Sequence, residues 1–133
     1  MFELSARAQD YLNRTKKFIA EEIEPVEADF WQQVHELNQG GDWTKWQWPA
    51  ELESLKAKAK AAGLWNMFLP CPERGQGLSV QEYAHIAELS GRSLIAPVVF
   101  NCNAPDSGNM EVLWRYGSCL LYTSDAADDM QCV

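Results

Sequence analysis

The sequence predicts an all-α fold, and three observations lead to this prediction. Apolar residues recur at a spacing near 3.6 through the long segments, which places them on one face of a helix. Proline and glycine stand where helices are expected to begin and end. Alternation of apolar and polar residues, which would predict strands, nowhere extends beyond a few positions. We therefore expect about four to six helices and no sheet.

The first helical segment runs from Leu4 to about Leu37. Pro25 lies inside it, and proline lacks the amide donor that a helix interior requires. We therefore expect either two helices or one bent helix. Gly40 and Gly41 then predict a loop. The apolar stripe of this segment consists of Leu4, Ala8, Leu12, Ile19, Ile23, Val26 and Phe30.

The clearest helix is predicted between Pro49 and Gly63. Proline fits the first helical position because its missing amide needs no partner there. Glycine readily adopts the left-handed conformation that ends many helices. The connection that follows is rich in proline and glycine, and residues 67–70 are expected to be extended. The inward face of this helix consists of Leu52, Leu55, Ala59 and Ala62.

A further helix is predicted to begin after Ser79. Ser79 and Glu82 have the S-x-x-E spacing of a capping box, in which each side chain satisfies an amide at the helix start. Gly91 is expected to end this helix. Its apolar face contains Ile86 and Leu89.

Two more helices are expected in the last third of the chain. Pro97 opens the first, and Pro105 falls near its end. Asp106 or Ser107 then caps a short helix that runs to Gly117, because these side chains accept bonds from free amides.

Composition and charge exclude several classes of function. The chain has 133 residues, the size of one domain, and a net charge of −8. Nucleic-acid binding requires clustered basic residues, and Lys56, Lys58 and Lys60 instead fit a solvated helix face. No signal peptide is recognisable, and no window approaches the roughly 18 apolar residues of a membrane span. The four scattered cysteines read as free thiols in a reducing compartment, so we expect a cytoplasmic protein.

The residues alone suggest no self-contained active site. Gly75 to Gly77 reads as a turn, because no strand precedes it as a dinucleotide fingerprint requires. The acidic residues from Glu21 to Glu27 include no histidine, so we predict no metal site. His35 and His85 read as helix residues, and no catalytic residue is assigned. Core anchoring or a subunit contact explains the tryptophans better than ligand stacking does. These tryptophans are Trp31, Trp43, Trp46 and Trp48.

Three stretches extend this interpretation: "LKAKAKAAGLWNMFLP", "YAHIAELSGRSLIAPVVFN" and "NCNAPDSGNMEVLWRYGS". In their residues and in their order along the chain, they resemble the N-terminal helical domain of the acyl-CoA dehydrogenases, over about residues 3–118. The resemblance implies the helical-bundle domain that begins this fold, without the β-barrel domain and the C-terminal helical domain that follow in the family.

The resemblance also implies a chemistry for the parent protein. The family introduces an α,β double bond into acyl-CoA thioesters, with a glutamate as base, FAD as hydride acceptor and a separate electron-transfer acceptor. Its members are expected to form homo-oligomers. The base and the main FAD site belong to the other domains, so this fragment is expected to be inactive and to bind no FAD. A stand-alone helical protein-interaction module is the alternative.

The end of the sequence departs from the family pattern. The family continues after "RYG" with a helix rich in Gln and Lys, whereas this chain reads "CLLYTSDAADDMQCV". That stretch resembles translated sequencing-adapter read-through. We therefore divide the chain into a domain at residues 1–118 and a non-native tail at residues 119–133, with a divergent acidic tail as the alternative.

By position against the family, one predicted helix face resembles the wall of the acyl pocket. If residues 96–107 form a helix, Phe100, Asn103, Ala104 and Ser107 fall on one face at spacings of three or four. Ala104 would leave room for the acyl chain, Phe100 would bound it, and Asn103 would bond a substituent or a water. Simple packing against a neighbouring helix is the alternative.

Three charged residues nearby are given structural roles. The family's base lies in another domain, so Glu111 is not assigned as one. Asp106 and Arg115 read as cap or ion-pair residues.

Overall fold

The computed structural model describes residues 4–117. Within that range the chain forms six α-helices and no strand, so the all-α prediction is confirmed. The tail proposed to be non-native, residues 119–133, lies outside the described residues. The helices are α1 (Ala6–Phe18), α2 (Glu24–Leu37), α3 (Glu51–Ala61), α4 (Val80–Ser90), α5 (Ala96–Val99) and α6 (Asp106–Tyr116).

Helices α1 and α2 form one unbroken helical run, so the alternative of two separate helices is wrong. They are joined by a π-helical turn, Ile19–Ile23, in which the Glu24 amide bonds the Ile19 carbonyl five residues earlier. Pro25 follows immediately, inside the first turn of α2. The wider turn lies where proline removes a donor from the regular ladder, which accounts for the irregularity at this point.

The core lies where α1 packs against α4 and where α3 packs against α5. Both long helices contribute, since Ile23 and Phe30 are almost fully buried. All seven residues of the predicted stripe belong to this core or pack against it. Its largest fully buried side chains include Phe30, Phe100, Ile23, Leu52, Leu55, Leu64, Met67, Leu78, Ile86, Ile95 and Val99.

Helix α3 begins two residues later than predicted. Pro49 is buried before the helix, and its carbonyl accepts a bond from Leu52, which forms a turn leading into the helix. The end of the helix is as predicted, because Gly63 is left-handed with φ 67°. Its amide bonds Lys60, and the next amide, that of Leu64, bonds Ala59. This pair of bonds is a Schellman motif.

The connection from α3 to α4 differs from its prediction at residues 67–70. Residues 67 and 68 form a turn that the Leu69 amide closes on the Asn66 carbonyl at 3.1 Å, so the extended prediction is wrong. The capping box of α4 is confirmed, with the Glu82 amide bonding Ser79 Oγ at 3.3 Å. The Ser79 amide returns a bond to Glu82 Oε2 at 2.9 Å, and Gly91 ends the helix.

The charged outer faces behave as solvated surfaces. Lys56 pairs with Glu53 at 2.9 Å and Lys58 with Glu22 at 2.7 Å, which confirms the solvated-face prediction. In the part of the chain that the structure covers, no helix combines the length and apolar character needed to cross a membrane.

Candidate functional site

The residues predicted to share one helix face do not lie on one helix. Helix α5 ends at Val99, and α6 begins only at Asp106. The premise of a continuous helix over residues 96–107 is therefore wrong. Pro97 does open α5 as predicted, whereas neither Asp106 nor Ser107 caps α6 with its side chain. The α6 start is held by backbone instead, because the Ser107 amide bonds the Asn103 carbonyl at 2.9 Å.

The break is caused by a Schellman motif at the end of α5. Asn101 is left-handed with φ 54° and donates to Val98, and the Cys102 amide reaches back to the Pro97 carbonyl at 2.8 Å. A left-handed residue after a helix turns the chain away from the helix axis. Asparagine tolerates this conformation better than most residues, which is why a motif usually supplied by glycine forms here.

The four predicted site residues separate between core and surface. Phe100 is completely buried, and its ring lies 5.5 Å from that of Phe18. Asn103 and Ser107 are half-buried, and Ala104 is exposed. Phe100 therefore supports the segment from inside, while the other three residues lie where another domain or a ligand can reach them. Their role in binding stays a prediction.

Residue Asn66 was missed by the sequence analysis. It is buried and left-handed with φ 55°. Its backbone amide donates to the Phe100 carbonyl at 3.1 Å, and Asn101 Nδ2 donates to its side-chain Oδ1 at 2.7 Å. Asn66 Nδ2 donates in turn to the Arg74 carbonyl at 3.3 Å. The only sequence signal was an isolated Asn in a connection rich in Pro and Gly, and that signal names no partner.

A groove of about 590 Å³ adjoins this asparagine pair. Helix α6 forms one wall, through Met110, Leu113 and Trp114, and the connection after α3 forms the other. Its size and mainly apolar walls are in the range of small-molecule sites. Sequence reasoning missed the groove because its walls come from distant parts of the chain. The remaining lining residues are Trp65, Asn66, Leu69, Glu73, Arg74, Gly75 and Gln76.

The Gly75 to Gly77 loop follows a turn at residues 72–74, which the Gly75 amide closes on the Cys71 carbonyl at 2.8 Å, so the predicted turn lies just before the loop. The loop does not fit a cofactor phosphate. A side chain added at Gly75 would come within 2.2 Å of the Leu69 carbonyl, so the missing Cβ makes room for the protein's own backbone. Gly77 is left-handed with φ 62° and lies against Pro72. The described residues thus offer no glycine cradle for FAD at this loop.

The shifted titratable groups do not approach neutral pH. Burial raises the pKa of Tyr83 and of the Cys102 thiol, so both stay protonated near pH 7. Hydrogen bonds from Ser5 and Ser79 lower the pKa of the Glu82 carboxyl. General acid–base catalysis works best with a pKa near the working pH, and these three groups do not provide it.

Of the charged residues given structural roles, Arg115 is an ion-pair residue, whereas Asp106 does not cap α6 with its side chain. Arg115 pairs with Glu111 at 2.8 Å, which confirms an ion pair within α6. Glu27 accepts bonds from Ser93 Oγ and from the Leu94 amide, both at 2.9 Å. Across residues 4–117, no group of three or more His, Cys, Asp or Glu side chains is placed to hold a metal. Both histidines are exposed helix residues.

The tryptophans of the first half of the chain divide into two kinds. Trp31 and Trp48 pack on Phe30, with ring centroids 5.7 Å and 6.0 Å away. Trp43 and Trp46, in and beside a short 3-10 helix, Trp43–Lys45, are 74% and 63% exposed. Core anchoring thus holds for Trp31, which packs against the core. Trp48 stacks on Phe30 but is 54% exposed, so it forms part of the surface with Trp43 and Trp46.

Comparison with known proteins finds relatives that are all named as acyl-CoA dehydrogenases. Acyl-CoA dehydrogenase family member 11 of Rattus norvegicus is 46% identical over 118 residues, covering 89% of this chain and 14% of that protein. "Probable acyl-CoA dehydrogenase FadE2" of Mycobacterium tuberculosis is 42% identical over 118 residues, covering 88% of this chain and 27% of that protein. A scan against protein-family models finds no match.

A solved structure from Mycobacterium abscessus, described as a "putative acyl-CoA dehydrogenase", superposes with a TM-score of 0.85 at 51% identity. The match covers 98% of this chain and 33% of that one, so the chain spans a minor part of each relative. Identity at this level over most of the chain, together with the same helical arrangement, identifies common ancestry. The chain belongs to the acyl-CoA dehydrogenase family, and its fold is that of the family's N-terminal helical domain.

Proposed function

We propose that the parent of this chain is a flavin-dependent acyl-CoA dehydrogenase that introduces an α,β double bond into acyl-CoA thioesters. The observation that carries the proposal is the 51% identity and TM-score of 0.85 with the Mycobacterium abscessus structure. FAD would accept the hydride from the β carbon, and a glutamate outside this domain would take the α proton. We also expect a separate electron-transfer acceptor, assembly into homo-oligomers and a cytoplasmic location.

The contribution of this domain is one wall of the acyl pocket, in the segment from Asn103 to Ser107. Ala104 presents a small exposed methyl group there, beside two half-buried polar side chains. A wall of this kind keeps water away from the thioester and from the reduced cofactor. Phe100 supports the segment from the core rather than touching substrate, because it is completely buried.

A grafted enzyme tests the proposal. In it, residues 4–117 of this chain replace the matching segment of the Mycobacterium abscessus relative, and the unmodified relative is the control. We expect acyl-CoA to bleach the bound flavin of both enzymes. A grafted enzyme that folds and holds flavin, yet oxidises no acyl-CoA that the control oxidises, would contradict the proposal.

The 133-residue chain by itself is expected to be inactive and to bind no FAD. The Gly75 to Gly77 loop, where a phosphate cradle would otherwise be sought, is filled by the chain's own backbone. Purified chain mixed with FAD and passed through a desalting column should emerge without flavin absorbance. Stoichiometric flavin in the protein fraction would show that this domain holds more of the cofactor site than we propose.

The second candidate, a stand-alone interaction module, is favoured by the exposed indoles of Trp43 and Trp46. Large exposed apolar side chains that lie together often mark a binding surface. A module should be a monodisperse monomer whose binding of a hydrophobic dye is weak and confined to the patch around Trp43 and Trp46. A domain taken from a larger enzyme should bind the dye strongly, and size-exclusion chromatography with dye fluorescence separates the two cases.

The origin of residues 119–133 has its own test. We propose that they are not native and that the native reading frame continues differently after Gly117. Sequencing the source DNA across that codon decides the point. An uninterrupted native reading frame ending at Val133 would refute a non-native tail.

A further inference from the structure

Two backbone turns meet at a pair of asparagines, of which Asn66 is buried and Asn101 half-buried. Asn66 and Asn101 are the two non-glycine residues with positive φ among residues 4–117, at 55° and 54°. The left-handed conformation is unfavourable for a residue with a side chain, and apart from glycine asparagine is one of the residues that tolerate it best. The two turns lie 35 residues apart in sequence, yet the side-chain amides are 2.7 Å apart.

The pair connects three segments of the chain. The Asn66 amide holds the Phe100 carbonyl at 3.1 Å, which fixes the end of α5. Asn66 Nδ2 holds the Arg74 carbonyl at 3.3 Å, in the opposite wall of the groove. Asn101 Nδ2 also lies 3.6 Å from Met110 Sδ, on α6. Replacing the side chain of either asparagine therefore alters contacts that hold the segment between α5 and α6 in place.

Conformation alone does not require asparagine at these positions. Glycine adopts positive φ at no steric cost, and it serves in this way at Gly63 after α3. What asparagine adds is the amide–amide bond, in which one side chain donates and the other accepts. Because Asn66 is buried, losing the Asn101 side chain leaves the Asn66 Oδ1 acceptor without this partner in a place that water reaches poorly.

The segment that the pair orients is the candidate pocket wall. Residues 102–105 leave directly from Asn101 and lead into α6 through the bond between Ser107 and Asn103. The backbone conformation of Asn101 sets the direction of the chain after it, and this direction determines how far Ala104 projects from the domain. A small displacement here changes the space left for a long acyl chain more than that left for a short one.

We propose that Asn66 and Asn101 are positioning residues that set the depth of the acyl pocket and hence the preferred acyl chain length. This inference rests on the proposed function. Neither asparagine needs to touch the substrate, because the pair acts through the backbone between Cys102 and Pro105.

The test uses the grafted enzyme with Asn66→Gly, Asn101→Gly and the double variant. Glycine keeps the left-handed turn possible and removes the amide–amide bond that the two side chains share. Asn66→Gly also removes the bond to the Arg74 carbonyl, and Asn101→Gly removes the contact with Met110 Sδ. The readout is the ratio of kcat/KM for butyryl-CoA to that for palmitoyl-CoA. We expect each single variant to change this ratio about tenfold, a size typical of altered apolar pockets. The double variant should change it by much less than the product of the two single effects, because both substitutions remove the same amide–amide bond.

Asn38→Gly is the matched control. Asn38 also bridges chain segments through its amide, donating to the Val34 and Gln47 carbonyls and accepting from the Gln47 amide. It lies in the loop after α2, and none of these bonds reaches α5 or α6. The control should lower the melting temperature and leave the ratio unchanged. A ratio that is also unchanged in the Asn66 and Asn101 variants would overturn the inference, because the pair would then only stabilise its turns.

Two further observations keep the test decisive. If a glycine variant fails to fold, Asn101→Asp keeps the size and turn tolerance of the side chain but cannot donate to Asn66 when ionised. On the 133-residue chain, hydrogen exchange at the Ser107 amide should accelerate in Asn66→Gly and not in Asn38→Gly, and equal exchange in both would overturn the inference. A grafted enzyme with no acyl-CoA oxidation at all contradicts the proposed function, whereas an active one with a constant ratio contradicts only this inference.

Discussion

The α1–α4 side of the molecule and the segment from Phe100 to Tyr116 are stabilised by different means. On the first side, large apolar side chains from four helices fill a common interior, and Ile23, Leu55 and Ile86 have no exposed surface. In the second segment, Phe100 enters that interior, but α6 has one buried residue, Met110. What holds the rest of this segment is a small set of backbone and amide bonds beside an open groove.

The surfaces of the two parts differ in the same way. Helix α6 leaves Val112 57% and Tyr116 79% exposed, in addition to the apolar groove wall on its other side. Helix α4, of equal length, buries Ile86 and Ser90 and exposes one large apolar side chain, that of Val80 at its first residue. Local stability in proteins follows buried apolar contact, and sites that bind or move lie in the less stable parts. The comparison therefore teaches that the core supports the fold and the Phe100–Tyr116 segment supports the proposed pocket.

The largest expected effect comes from truncating the core. Phe30→Ala should lower the free energy of unfolding by about 3–5 kcal/mol, because it leaves a cavity among buried apolar neighbours. Val112→Ala, at an exposed position of α6, should change it by less than about 0.5 kcal/mol. Urea unfolding of both variants measures the difference. Similar values for the two would show that core and α6 are not held differently.

A medium effect is expected at the start of α4. Ser79→Ala removes the side chain that caps the Glu82 amide and should cost about 1 kcal/mol. Ser54→Ala is the matched control, since Ser54 lies exposed inside α3, where alanine is the better helix former. Thermal unfolding followed by circular dichroism should show a lower melting temperature for the first variant alone. Equal melting temperatures would mean that the capping box adds nothing to the fold.

The smallest effect is a dependence on pH. Bonds from Ser5 and Ser79 lower the pKa of Glu82, so the folded state holds its carboxylate better than the unfolded state does. The resulting stabilisation is complete above the unfolded pKa and is lost as the pH falls through the folded one. Glu82→Gln should therefore flatten the fall in melting temperature below about pH 5, where carboxyl groups begin to protonate. An unchanged acid slope would contradict this assignment.

The elements that the sequence predicts well are those defined by local signals. The capping box at Ser79 and Glu82 needs only residues three apart, and the left-handed end at Gly63 needs one glycine. The family was also recognisable from the sequence, because the stretches that resemble it are continuous runs of residues. These signals act within a few residues, so no knowledge of the tertiary structure is required.

The elements that it predicts badly depend on distant partners. Residues 96–107 have helical spacing, yet the helix ends before Asn101. The side-chain amide of Asn101 donates to an asparagine 35 positions earlier, Asn66. Helix α3 begins later than predicted for a related reason, because Pro49 is buried before the helix instead of opening it. Sequence spacing identified Asn103, Ala104 and Ser107 as one face, but burial placed Phe100 in the core. Tertiary contacts therefore overrode local preference where the proposed site lies.

The most direct test of the proposed pocket is a crystal structure of the grafted enzyme with a long-chain acyl-CoA bound. Our account predicts that acyl carbons lie within about 4 Å of Ala104 Cβ, the distance of apolar contact. An acyl chain seated instead in the groove between Trp65 and Trp114, or remote from this domain, would contradict it.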